Sequence, residues 1–172
     1  AHFKNGEDWG IRIDYSLEDR PLGTGGALKN AERYVNDTFL ALNGDSYFEL
    51  DIEDLCHFHK RHKARHNDLL GTIALTQVPD PRSYGSITIN NENRILTFDE
   101  KTDDRGAASL INAGIYVLEP EVLSLIPPMQ TVSLETEVFP HILGHGASLA
   151  AYVPDGAFFD IGTPAGYHRF QS

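Results

Sequence analysis

The chain has 172 residues, 41% of them hydrophobic, with nine phenylalanines and seven tyrosines, which is enough for one domain with a packed core. A net charge of −11 argues against nucleic acid or an anionic membrane surface as the main partner, and no apolar run approaches the roughly 20 residues of a membrane span. The single cysteine, Cys56, excludes an internal disulfide and suits a reducing compartment, so a cytoplasmic protein is expected.

In chain order, "WGIRIDYS" places Ile11, Ile13 and Tyr15 on one face and predicts a strand. In "PLGTGGALKNA" three glycines and a threonine fill positions 23–26, directly before the helical spacing of Leu28, Ala31 and Val35. A glycine-rich turn that opens a helix offers free N–H groups, the positive end of a dipole and no Cβ to obstruct a ligand. The same residues also suit a plain strand-to-helix turn with glycine at positive φ. Two phosphate-binding fingerprints fail there: Leu28 breaks G-x-G-x-x-G, and G-K-[ST] is absent.

"TFLALNGDSYF" carries a short apolar run from Phe39 to Leu42, as expected for a strand buried on both faces of a parallel sheet. Asp51 is placed to cap a helix from Ile52 to about His66. "LLGTIALTQV" predicts another buried strand, "SITINNENRILTF" a hairpin, "LINAGIYVL" a strand and "EPEVLSLI" a short helix. Ser133 caps "LETEVFPHIL", where Pro140 predicts a kink or an early end. "SLAAYVP" and "AFFDIG" are short strands, and Thr163-Pro164 opens a last helix. Strands that alternate with helices and then meet a hairpin describe a single α/β domain over residues 1–172, with a mostly parallel sheet and an antiparallel addition.

Asp45 follows a buried strand and so sits at its carboxyl end, where open α/β sheets bind ligands. Asp160 repeats the arrangement after Phe158-Phe159. One carboxylate from each of two strand ends makes a Mg²⁺ site, because Mg²⁺ favours a few carboxylates plus substrate phosphates. A turn aspartate that satisfies backbone N–H groups is the other reading of each. Glu100 and Lys101 end the hairpin's second strand, where a glutamate can accept from sugar hydroxyls and a lysine can meet a phosphate, or the two can form an exposed pair. Tyr84-Gly85 and Asn112-Ala113-Gly114 each set a glycine beside a polar side chain, as ligand walls or as ordinary turns and bulges. His57, His59, His62 and His66 lie in a basic helix; His62 and His66 have metal spacing without a third ligand nearby, and a solvated face is expected.

The motifs "PLGTGGALKNA", "FLALNGDSYF", "YGSITINNENRILTFDEK", "LINAGIYVLEPEVL" and "FFDIGTPAGYHRF", in this order, resemble the nucleotidyltransferases that make nucleotide-activated sugars. The resemblance runs from about Ile11 to Phe170 and is nearest to the D-glycero-D-manno-heptose 1-phosphate guanylyltransferases of bacterial surface-polysaccharide synthesis, beside the mannose-1-phosphate guanylyltransferases. It implies a Rossmann-like fold and transfer of a nucleotidyl group, with GTP favoured, from a nucleoside triphosphate to a sugar 1-phosphate.

Carried over residue by residue, the resemblance makes Leu22, Gly23, Thr24, Gly25 and Gly26 the base-side wall. Asp45 and Asp160 become the metal ligands, and Tyr84 and Gly85 sugar contacts. Glu100 then serves sugar hydroxyls and Lys101 the sugar phosphate, with Asn112 and Gly114 lining the sugar pocket. The family's opening strand, its glycine-rich loop with an arginine, and a later P-K-P lysine have no counterpart here. Ala1 is not a methionine, so the chain is expected to lack an N-terminal strand and loop and to be inactive by itself. A nucleotide-sugar-dependent glycosyltransferase and a non-catalytic nucleotide-sugar-binding regulator are the alternatives. The glycosyltransferase reading expects D-x-D at the metal, where this chain has Asp45-Ser46-Tyr47.

Overall fold

A computed structural model describes residues 2–78, 85–99 and 109–171. Among these the chain runs α1 (Gly23–Asn30), β1 (Phe39–Leu42), β2 (Ser46–Phe48), α2 (Ile52–Lys63), β3 (Leu69–Val78), β4 (Ser86–Ile89), β5 (Ile95–Asp99), β6 (Ser109–Leu118), α3 (Glu121–Ser124), α4 (Phe139–Gly144), β7 (Ser148–Tyr152), β8 (Phe158–Asp160) and α5 (Pro164–Gln171).

The central sheet has the order β1–β6–β3–β7. β6 is antiparallel to β1 and to β3, whereas β7 is parallel to β3. Three strands therefore share one direction, the mostly parallel sheet read from the sequence, while β6 runs against them. Because β6 lies between β1 and β3, most hydrogen-bonded pairings are nevertheless antiparallel. β4–β5 is the expected hairpin, and β2–β8 is a second antiparallel pair.

The pleat divides the core. Ile73 and Leu75 of β3, with Tyr116 and Leu118 of β6, pack with Phe139 and Ile142 of α4. Ala74, Ala113, Ile115 and Val117 point the other way and pack with Leu55 of α2 and Phe48 of β2. Side chains alternate across a strand, so a sheet covered on both faces needs the near-continuous apolar runs that β3 and β6 carry. Each large side chain fully buried here contributes about 1.5–3 kcal/mol. At α2, Asp51 accepts hydrogen bonds from the backbone N–H groups of Glu53 and Asp54 at 2.8 and 3.1 Å, the predicted cap. The helix ends in Lys60, Arg61, His62 and Lys63, which suits the negative end of its dipole.

Four expectations change. Residues 11–15 form no strand; after a 3₁₀ turn at Glu7–Trp9 they run as irregular backbone, with Ile11 and Tyr15 exposed. Alternation makes a strand only where a neighbour offers a sheet edge, and among the described residues none pairs there. This segment is held instead by single bonds, including Tyr15 Oη to Lys4 O and Asn30 Nδ2 to Leu17 O. β1 buries Ala41 but leaves Leu40 and Leu42 exposed, because among the described residues it is the outer strand of its sheet.

Around Pro140 the helix changes type. Ser133 caps Thr136 as expected, but Leu134–Val138 forms a π-helical turn, and Pro140 falls in the first turn of α4. There its missing N–H leaves no intrahelical bond unmade. Finally, His59 is not on a solvated face. It is 1% exposed, with Nδ1 on Thr72 Oγ1 (2.9 Å) and Nε2 on Glu119 Oε1 (2.8 Å).

Candidate functional site

The turn after β1 delivers Asn43, Gly44 and Asp45 to one end of the sheet. Antiparallel pairing then sets Ser46 of β2 opposite Asp160 of β8, and Ile161 N donates to Asp45 O at 2.9 Å. The register brings the two aspartates to one place. Asp160 Oδ1 accepts from Gly162 N at 3.0 Å. A Cβ built on Gly162 would stand 2.9 Å from Asp45 Oδ2 and 3.3 Å from Asp160 Oδ1. Both carboxylates therefore border the same glycine.

The adjoining wall comes from β6. Gly114 has φ +74°, and a Cβ there would lie 2.7 Å from Asn43 Nδ2, so glycine is required on both counts. Its N–H donates to Asn112 Oδ1 at 2.9 Å, and its carbonyl accepts from Asn43 N at 2.8 Å. Asp45, Asp160, Asn112, Gly114, Gly85 and Glu135 all line a cleft of about 750 Å³. Of the residues selected from sequence, the structure thus brings together Asp45, Asp160, Gly85, Asn112 and Gly114. Tyr84, Glu100 and Lys101 lie outside the described residues.

The glycine-rich turn serves its own chain first. Gly25 N and Gly26 N donate to Val132 O at 2.9 and 3.3 Å, and Val132 N donates to Leu22 O at 2.9 Å. These N–H groups are engaged, contrary to the expectation that the turn leaves them free. A Cβ on Gly23 (φ +71°) would meet Val132 O at 2.6 Å, and one on Gly26 would meet Gln130 O at 2.5 Å. What comes so close to this backbone is residues 130–132. Leu22 and Gly23 to Gly26 do not line the cleft; Thr24 alone is tied to it, through Glu135.

Glu135 and Tyr116 carry no role in the sequence reading. Glu135 Oε2 accepts from Thr24 Oγ1 and Ser133 Oγ, both at 2.9 Å, and Oε1 accepts from Tyr116 Oη at 3.0 Å. Burial, reinforced by the Glu135 charge, pushes the Tyr116 hydroxyl far above its ordinary range, so it acts as a fixed donor. One signal was available for Tyr116, since a buried tyrosine in an apolar strand needs a partner for its hydroxyl. Glu135 was hidden, because an acid in a helix's first turn is explained by the dipole alone.

The donor set fits a divalent cation of the Mg²⁺ type. Two hard carboxylates at strand ends leave positions for water and phosphate oxygens. Among the described residues no group of three or more His, Cys, Asp or Glu gathers to form a complete cage.

The family model described as "Nucleotidyl transferase" matches residues 1–172. The mannose-1-phosphate guanylyltransferase of Mycobacterium tuberculosis is 39% identical over 171 residues, covering 98% of this chain and 46% of the relative. The mannose-1-phosphate guanyltransferase of Saccharomyces cerevisiae is 39% identical over 163 residues, covering 92% of this chain and 43% of the relative. The chain thus spans less than half the length of these curated relatives. Among solved structures, HddC from Yersinia pseudotuberculosis complexed with GMP-PN superposes with a TM-score of 0.74 at 30% identity, over 95% of this chain and 68% of that one. A putative glucose-1-phosphate thymidylyltransferase from Bacillus anthracis gives a TM-score of 0.81 at 25% identity, over 97% of this chain and 67% of that one.

Proposed function

The chain belongs to the nucleotidyl transferase family, and from that premise we propose that its cleft serves transfer of a guanylyl group from GTP to a manno-configured sugar 1-phosphate. The products are a GDP-sugar and pyrophosphate. A phosphate oxygen of the sugar 1-phosphate forms a bond to the α-phosphorus, and the bond from that phosphorus to the bridging oxygen of pyrophosphate breaks. No protein nucleophile is required, because the attacking oxygen already carries charge, and positioning does most of the work.

One observation carries the reading: Asp45 and Asp160 meet at Gly162 on the rim of the cleft walled by Asn112 and Gly114. Asp45 and Asp160 would hold Mg²⁺, which when bound neutralises charge on the reacting phosphates. Asn112, Gly114, Gly85, Tyr84 and Glu100 would receive the sugar and Lys101 its phosphate, while Leu22, Gly23, Thr24, Gly25 and Gly26, which are not in the cleft lining but are tied to it through Thr24 and Glu135, would form the base-side wall. The guanylyl choice rests on the names of the curated relatives and on the GMP-PN complex of HddC. A cytoplasmic location accords with the single cysteine. No helix among the described residues is long and apolar enough to cross a membrane.

The test uses the gene product that carries this sequence, assayed for pyrophosphate release with GTP, UTP, CTP or dTTP. The acceptors are mannose 1-phosphate, a manno-heptose 1-phosphate and glucose 1-phosphate. GTP with a manno acceptor is expected to give the highest kcat/KM. A clear preference for UTP or dTTP overturns the guanylyl assignment. Binding of GDP-mannose with no release in any combination returns the regulatory alternative.

A further inference from the structure

A chain of hydrogen bonds runs from the glycine-rich turn to the wall of the cleft, and its direction is fixed by chemistry. Thr24 Oγ1 donates to Glu135 Oε2, and Tyr116 Oη donates to Glu135 Oε1. With its proton committed, the Tyr116 oxygen faces Asn112 as an acceptor, and Asn112 Nδ2 donates to it at 2.8 Å. Gly114 N can only donate, so the other end of the same amide must be the oxygen. Here two independent partners, one accepting and one donating, allow a single orientation.

We infer that Glu135 is a positioning residue for sugar recognition, acting through Tyr116 to lock the Asn112 amide so that its second N–H is held toward the cleft as a donor. This rests on the proposed sugar 1-phosphate site. Glu135 and Asn112 line the cleft, while Tyr116, 1% exposed, stands behind them against Phe139. A donor held in one orientation discriminates between epimeric hydroxyls, whereas a freely flipping amide offers a donor or an acceptor with equal ease. Gly114 N already selects which end of the amide is the oxygen; the buried Tyr116 hydroxyl, held by Glu135, anchors the other end at 2.8 Å and so fixes where the second N–H stands, and such chains strengthen cooperatively.

The test compares Tyr116→Phe, Glu135→Met, Glu135→Gln and the Tyr116→Phe/Glu135→Met double variant in the gene product that carries this sequence. Tyr116→Phe keeps the ring packing and removes only the hydroxyl. Glu135→Gln keeps an oxygen that can accept from Tyr116. The reading predicts that Tyr116→Phe and Glu135→Met each raise KM for mannose 1-phosphate about tenfold, the effect of one lost hydrogen bond. KM for the triphosphate should stay within about twofold. The preference for mannose over glucose 1-phosphate should fall by about the same tenfold. Glu135→Gln should hold both values within about threefold of wild type, and the double variant should be no worse than either single one. Unchanged epimer preference in Tyr116→Phe overturns the inference, as do additive effects in the double variant or equal rises in both KM values. An inactive wild type counts against the proposed function instead. Thermal midpoints of all variants separate loss of folding from loss of positioning, and a folded Tyr116→Phe alone decides the question.

Discussion

Asp45 and Asp160, 115 positions apart in the sequence, reach the same glycine: a Cβ on Gly162 would touch both carboxylates. Asp160 Oδ1 also accepts from Gly162 N, and an asparagine oxygen can accept the same bond, so the amide variants remove charge while they keep shape and that contact. Asp45→Asn and Asp160→Asn should each lower Mg²⁺-dependent turnover by at least about 10²-fold, with circular dichroism and thermal midpoint near wild type. Titrating Mg²⁺ at saturating substrates checks it. Near-normal activity of either variant at limiting Mg²⁺ would remove that aspartate from the metal site.

The glycine-rich turn gives a prediction independent of any ligand. Gly23→Ala forces a side chain into a left-handed backbone and against Val132 O, so it should destabilise by about 1–3 kcal/mol. Gly26→Ala should cost a similar amount by pressing on Gln130 O. Gly144→Ala, with nothing within 4 Å of its Cβ, should be neutral or stabilising by up to about 1 kcal/mol. Urea unfolding without nucleotide measures all three. Equal stability across the set would mean that residues 130–132 do not pack on the turn.

How much of this was legible depends on the range of the interaction. Asp51, its two N–H partners and the apolar face of α2 are local, and the sequence shows them directly. β3 and β6 were legible because a strand covered on both faces must be apolar throughout. "WGIRIDYS" was misread because alternation describes a strand's faces and says nothing of a partner for its edges. Asp45 and Asp160 could be read as two strand ends; that they meet depends on the β2–β8 register, which no local pattern encodes. His59 left a usable sign, its i+4 spacing from the buried Leu55. The neighbouring His57, His62 and His66 obscured it, since burial of one histidine is decided by the sheet beneath.

Lys101, outside the described residues, is proposed to meet the sugar phosphate. Lys101→Ala should then raise KM for the sugar 1-phosphate by about ten- to a hundredfold, the worth of a charge-assisted contact. The triphosphate KM should change little. Steady-state kinetics with each substrate varied in turn provides the check, and equal losses would move Lys101 to another role.

At the other end of β1, Thr38 and His59 close on Glu119, well away from the strand end that bears Asp45. Burial raises the Glu119 carboxyl. Hydrogen bonds from His59 and Thr38 and the Lys63 ammonium 3.6 Å away outweigh that, and its pKa falls below the ordinary 4.5. A carboxyl lowered on folding contributes stability that is complete above its unfolded pKa and is lost as pH falls through the folded value. Glu119→Gln should therefore be less stable than wild type by about 1–3 kcal/mol near neutral pH. The gap should shrink as pH drops below 4.5, because the wild-type carboxyl then takes up the proton that Gln already mimics. Urea unfolding of both proteins across that acid range isolates the residue, since every other carboxyl is common to the pair. A gap that stays constant into strong acid would show that Glu119 matters for its shape and hydrogen bonds and not for its charge.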